Sequence, residues 1–441
     1  MKFLLFCTII IAFFSCSNEE FVANDTNLDD ATKPEHKNVY RILEEDAIKN
    51  LLSFIKQMEK SPEGAISTRN KAVRTVKNIE IIGKDKEKIS TYASGYDNNL
   101  LSTINADTLM YLINFEEDQG FAIVSADKRS NNIYAIVDEG FMDVNRMEQI
   151  NNPGFILFME SAVKKEIENL ATYDIATYSS GSGGSGNTGG GNDFPTGPLY
   201  VGSVAPKLKT KWGQGYPYNL YCPNGWTGCV STAMAQIYSY YQTVSNFKYN
   251  SNNITLNWSQ IISDCENTDP SYGQLNHNTE NTSSVQIAHF MRYLGYVLNA
   301  NYYTDGRGTA ASSREALDWM LLYGKLKRQF YEGYYTANHT YTSVAQGHLV
   351  YIIGRKTVNG ESVGHAWIID GGIQYKKSAT TIDCEYFVHC NWGWNGVCDG
   401  YYKEDIFNHK NGPVYWEKID SFGIKENSNY DHGFATAVIY K

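Results

Sequence analysis

The chain has 441 residues, 42% of them hydrophobic, 14% aromatic and 20% charged, which suits two or more folded units and argues against long disorder. Its net charge is −10 and it has no long basic block, so a nucleic-acid partner, which needs a concentrated positive face, is not expected.

At the N-terminus Lys2 precedes an apolar run from Phe3 to Phe14, followed by Ser15-Cys16-Ser17 and two glutamates. The run is shorter than the about 20 apolar residues a bilayer span takes and reads as an export signal over residues 1–15. Cys16 stands where a bacterial lipoprotein signal carries its lipidated cysteine, although Phe13 replaces the usual aliphatic residue upstream. The alternative is an ordinary secretory signal cut near the same place. Both predict export, either to the bacterial outer membrane or cell surface as a lipoprotein, or to the medium after maturation. With Cys7 and Cys16 set aside, Cys222, Cys229, Cys265, Cys384, Cys390 and Cys398 remain, and an oxidising compartment favours their pairing. Cys384, His389, Cys390 and Cys398 lack the close Cys-x-x-Cys pairs of a structural zinc site, so no metal is expected there.

Residues 16–39 are polar and acidic, a tether. Leu43, Ala47, Leu51, Phe54 and Met58 then fall on one face of an amphipathic helix over 41–58. Strands are predicted at 108–114, 120–125 and 132–137 and a helix at 154–170, which together make a small α+β domain over 40–172. Residues 173–197 form a linker rich in Gly and Ser. Its hexad Gly181-Ser-Gly183-Gly-Ser-Gly186 matches the dinucleotide fingerprint by letter, but no strand precedes it and no helix follows. The second domain, 198–441, reads as helices at 229–241, 285–298 and 313–322, then strands at 348–354, 364–370, 385–391 and 400–402, with a hairpin at Asn359-Gly360.

In the stretch Asn224-Gly-Trp-Thr-Gly228-Cys229, the apolar spacing of Val230, Met234, Ile237 and Tyr241 puts Cys229 at the start of a helix. A helix N-terminus favours thiolate over thiol, though a lone cysteine there is commonly just packing. A thiolate nucleophile needs an imidazole held by a third group. His365, 136 residues further on, opens a strand as Gly364-His365-Ala-Trp, within the roughly 130–150 expected of papain-like enzymes. Asn391 could hold its ring, Trp392 could cover that bond, and Gln214 could supply an oxyanion donor. His389 is a rival base, awkwardly close in sequence to Asn391.

Trp212-Gly-Gln214, Pro217-Tyr-Asn219, Cys222-Pro223, Thr227-Gly-Cys229-Val-Ser-Thr-Ala-Met-Ala-Gln236, Gly364-His365-Ala-Trp, Asn391-Trp392-Gly-Trp394 and Asp399-Gly400-Tyr occur in that order. Together they resemble the streptopain family of bacterial cysteine peptidases, and Gly120-Phe-Ala-Ile-Val-Ser-Ala-Asp127 is similar to that family's inhibitory pro-region. The resemblance implies an α+β chain with a papain-like catalytic domain, a helical half and an antiparallel-sheet half, behind a small α+β prodomain. It also implies secretion as a zymogen and endopeptidase activity without a cofactor or metal. By the same resemblance Cys229 is the nucleophile, His365 the base, Gln214 the oxyanion donor, and Asn391 with Trp392 stands behind the histidine.

Protein or peptide substrates, the chain's own prodomain and, through a lipid on Cys16, a membrane are the expected partners. Two other readings remain open. A surface lipoprotein could bind glycans or host protein through aromatic loops such as Tyr331 to Tyr341, or the same pair could transfer an acyl group to an amine.

Overall fold

The computed structural model describes residues 38–59, 73–85, 98–130, 132–179, 197–267, 274–275, 282–329, 337–358, 361–407, 414–415 and 433–441. The expected signal, Cys16, the hexad 181–186 and most of the loop 331–341 lie outside the described residues. Helix α1 (Glu44–Glu59) opens on three acidic residues and buries Ala47, Leu51, Phe54 and Met58, as their spacing demands. Leu43 precedes the helix and is 63% exposed, so it does not share that face.

Next come β1 (Val76–Gly83), α2 (Asn98–Thr103), β2 (Thr108–Phe115), β3 (Phe121–Ser125) and β4 (Ile133–Val137). They are followed by α3 (Pro153–Ser179). Pro153 occupies the first helical position, and the Asn152 side chain accepts the Phe155 amide at 3.1 Å, which caps the start of α3. The helix runs past the expected boundary at 172. Residues 173–178 carry no Gly or Pro to stop it, so the connecting segment begins only after Ser179.

The second half comprises β5 (Leu199–Val204), α4 (Cys229–Tyr241), β6 (Asn246–Tyr249), β7 (Asn252–Thr255), α5 (Trp258–Asn267), α6 (Thr282–Val297), β8 (Asn301–Tyr302), β9 (Thr309–Ala310), α7 (Ser313–Leu322) and β10 (Lys327–Gln329). It continues with α8 (Ala337–Ala345), β11 (Leu349–Val358), β12 (Glu361–Lys376), β13 (Glu385–Asn391), β14 (Gly400–Lys403), β15 (Val414–Tyr415) and β16 (Gly433–Tyr440). Val358 pairs with Glu361 across the step where the hairpin was expected.

One sheet runs β1-β2-β3-β4-β14-β13-β12-β11-β16-β10, with β5 added on β12 and β15 on β16. The two domains read from the sequence therefore share a sheet. Their seam is the antiparallel pair β4–β14, with Val137 opposite Gly400 and Ile136 opposite Tyr401. Alternation along β11 and β12 sorts side chains to two faces. Ile352, Trp367 and Ile369 join the apolar cluster that contains α3, whereas Tyr351, Ile353, Ala366 and Ile368 join the cluster built on α4. Among the described residues no helix is long and apolar enough to cross a membrane.

Candidate active site

Cys229 is the first residue of α4, half-buried against the apolar cluster of that helix. The residue before it must be glycine. Gly228 has φ 85°, in the left-handed region, and a Cβ there would come 3.0 Å from the Thr309 carbonyl. Desolvation pushes the Cys229 thiol above its ordinary value, opposed by amide hydrogen bonds from Ala366 and Val230 and by the Arg355 charge. The Ala366 amide brings the sulfur to β12, one residue from His365.

His365 alternates with Ala366, and its ring turns to the face that α3 covers. It stacks near Trp367, at 6.0 Å and 15°, and meets Trp394 edge-on at 5.8 Å. Its Nε2 lies 2.7 Å from the Trp392 carbonyl. A carbonyl only accepts, so Nε2 carries the proton and Nδ1 keeps the lone pair a general base needs. Burial lowers the ring to about 4, against the opposing effect of that bond, so it is neutral at pH 7. Among the described residues no hydrogen bond joins the Cys229 sulfur to this ring. The sulfur meets β12 through the Ala366 amide, and the pair is not closed.

The expected holder of the ring is engaged elsewhere. Asn391 donates from Nδ2 to the Thr210 carbonyl at 2.7 Å and accepts at Oδ1 from Gln236 Nε2 (2.9 Å) and the Gly393 amide (3.2 Å). Gln236 in turn accepts the Trp212 amide at 3.1 Å. This buried chain braces α4 against the loop before it and against β13, and the orienting bond to His365 comes from the Trp392 backbone instead. Trp392 is fixed by its amide to Asp399 (2.9 Å) and its indole to the Cys398 carbonyl (2.8 Å). Gln214 lies in the loop before α4, where its carbonyl accepts the Thr227 amide at 3.0 Å, two residues from Cys229. Gln236 is the site residue that motif reading quoted without assigning a task.

His389 is removed as a rival base. Its Nδ1 is 2.6 Å from Asp370 and its Nε2 is 3.1 Å from Asp138 of the N-terminal domain. Burial alone would lower this ring, but the Asp370 charge and the two carboxylate bonds outweigh it and push the ring up to about 10. Both nitrogens then donate, which leaves none to accept a proton.

The same seam holds Lys211 to Glu139 at 3.0 Å, Asn152 Nδ2 to the Val397 carbonyl at 2.8 Å, and Gly154 against the site itself. A His389 value above the ordinary 6.5 means that this stabilisation is complete below about 6.5 and fades as pH rises through about 10. Asp138→Asn should therefore destabilise the full chain by about 1.5–3 kcal/mol at pH 6–7, the range for a hydrogen bond to a charged group. Thermal unfolding of both forms across pH should show the gap closing toward pH 10.

None of the six cysteines is paired, contrary to the expectation of disulfides. Cys265 is buried and takes the Trp212 indole proton at 3.3 Å. Cys390 and Cys398 are buried in the cluster that contains α3, while Cys384 is only half-buried.

Residues 212–402, which span Gln214, Cys229, Gln236, His365, Asn391 and Trp392, match the family model described as the Peptidase C10 family, and residues 41–164 match that of the Spi protease inhibitor. Residues 212–402 make a streptopain-type cysteine peptidase domain. The fold of the chain is α+β, helices and an antiparallel sheet in the peptidase-family region behind a small α+β inhibitor-family domain.

Streptopain of Streptococcus pyogenes serotype M1 is 28% identical over 347 residues, covering 68% of this chain and 74% of that one. The thiol protease/hemagglutinin PrtT of Porphyromonas gingivalis is 25% identical over 376 residues, covering 77% of this chain. The match spans only 39% of PrtT's own length. A prointerpain A fragment from Prevotella intermedia is 21% identical with a TM-score of 0.44, covering 75% of this chain and 94% of that structure.

Proposed function

We propose that this chain is the precursor of an exported thiol endopeptidase, held inactive by residues 40–172 and anchored through a lipid on Cys16 until the segment after Ser179 is cut. The observation that carries the reading is the juxtaposition at β12. A helix-start thiol takes the Ala366 amide beside a histidine whose Nε2 proton is fixed by Trp392, and the inhibitor domain's Gly154 is packed on that same ring.

Once the ring is free to meet the sulfur, proton transfer from Cys229 to His365 Nδ1 gives a thiolate–imidazolium pair. The thiolate adds to the peptide carbonyl carbon, and the Cys229 amide with the Gln214 side chain receives the oxyanion. His365 returns its proton to the leaving nitrogen as the C–N bond breaks, leaving a thioester. His365 then takes a proton from water, whose oxygen displaces the sulfur and releases the acid. In the precursor the opposite balance holds. Burial raises the thiol and lowers the imidazole, so the proton stays on sulfur.

Alkylation tests this. Iodoacetamide should modify Cys229 in the precursor about 100-fold more slowly than in the matured enzyme at pH 7, because only the thiolate is alkylated and burial holds the proton on sulfur. Mass spectrometry of the products locates the modified cysteine, the new N-terminus, and any acyl mass on the released N-terminal piece. Equal rates in both forms, or a modified residue other than Cys229, would contradict the reading.

A further inference from the structure

Three residues before the nucleophile, Trp226 is 39% exposed and belongs to none of the apolar clusters. The backbone beneath it is nevertheless tightly held. Its amide donates to Asn224 Oδ1 at 3.1 Å, and Asn224 Nδ2 reaches the carbonyls of Tyr303 (3.0 Å) and Gly308 (2.7 Å). The Thr309 hydroxyl lies within reach of both Asn224 Oδ1 (3.1 Å) and the Trp226 carbonyl (2.8 Å). An apolar ring kept partly in water on so constrained a loop is not explained by core packing.

The ring is nearly parallel to that of Trp394, at 18° with centroids 6.3 Å apart. Trp394 is half-buried in the loop after β13 and meets His365 edge-on at 5.8 Å. One ring thus comes from the loop that delivers the thiol, the other from the loop whose Trp392 carbonyl orients the imidazole. They line up beside His365, the group that protonates the leaving amine. The side of a cleft that holds this proton donor is the side on which the leaving fragment lies.

We infer that Trp226 and Trp394 form the subsite for the substrate residue immediately C-terminal to the cleaved bond, and that it takes a bulky apolar or aromatic side chain. The inference rests on the peptidase reading above. Both tryptophans act here as specificity-determining residues and carry out no proton transfer. Flat rings favour offset stacking or edge contacts with another ring and bury apolar area against a branched aliphatic chain.

Partitioning of the acyl-enzyme tests this directly. The matured enzyme is acylated with a peptidyl nitrophenyl ester, and the thioester is then shared between water and an added amino-acid amide. The amide occupies the subsite in question, so the ratio of aminolysis to hydrolysis reports on that subsite and is independent of the fraction of active enzyme. Phenylalaninamide should capture the acyl group about tenfold or more better than glycinamide, a discrimination in the range known for apolar pockets.

Trp226→Ala should bring that preference close to one, and Trp226→Phe should restore most of it. Tyr323→Ala, at an exposed position after α7, should keep the wild-type preference. An unchanged preference in Trp226→Ala, or none in the wild type, overturns the subsite. If Trp226→Ala yields no folded enzyme, Trp226→Gln takes its place, and a wild-type preference in that variant overturns the proposal. A wild type that gives no nitrophenol burst refutes the underlying peptidase reading instead, and this inference with it.

Discussion

On the proposed reading, Cys229→Ala and His365→Ala should each lower kcat/KM for a peptide substrate by roughly ten-thousand-fold or more, and the double variant should fall no further, because residues that act as one unit are not additive. Both variants should accumulate as the full-length chain when expressed alone. Asn391→Ala behaves differently. Its side chain bonds Thr210, Gln236 and the Gly393 amide and does not reach His365, so its removal leaves buried polar partners unpaired. That costs roughly 1–3 kcal/mol of stability and much less than a hundredfold in turnover per folded molecule. Steady-state kinetics on matured enzyme, with thermal unfolding in parallel, separates the two. A ten-thousand-fold loss in Asn391→Ala would restore the amide as the group that holds the ring.

Gly154→Val should unseat the inhibitor domain. A Cβ at this position would lie 2.3 Å from Cε3 of Trp392 and 2.8 Å from Cδ2 of His365, far inside contact distance. Trp392 is fully buried and tied through its amide and indole, so it cannot yield cheaply. The first turn of α3 must lift instead. Overpacking of this kind costs roughly 1–3 kcal/mol and occasionally more. The full-length variant should melt at lower temperature, mature sooner, and lose most of the hundredfold protection of Cys229 against iodoacetamide. Gly154→Ala should fall between the two. If Gly154→Val is alkylated as slowly as the parent, inhibition does not depend on this contact.

Much of this was legible before the structure. Helix α4 is visible because Val230, Met234, Ile237 and Tyr241 keep a helical period, and β2 to β4 because each is a run of apolar residues of strand length. Two of the strands that escaped notice lack such a signal or sit beside a distracting one. In β1, Lys77, Asn78 and Glu80 interrupt the apolar residues, and β5 follows directly on the Gly-rich linker.

What sequence reading could not reach is pairing over long separations. Asn391 sits where its motif predicts, but its direction is decided by Gln236, 155 residues away. His389 reads as a rival base until Asp138, 251 residues upstream, is seen to occupy its second nitrogen. The linker suggested two separate bodies, whereas backbone hydrogen bonding, which carries no residue code, joins them through β4 and β14.

That junction has a consequence for the matured protein. On the proposed maturation, loss of the N-terminal piece would turn β14 from an interior strand into an edge, with a row of amides and carbonyls open to any passing chain. The strand is only four residues long, and its last residue, Lys403, is an inward-pointing charge held between Glu385 and Asp405. Short length and a buried cation are the features by which sheet proteins discourage such pairing. Such a release would thus uncover a surface already guarded against self-association.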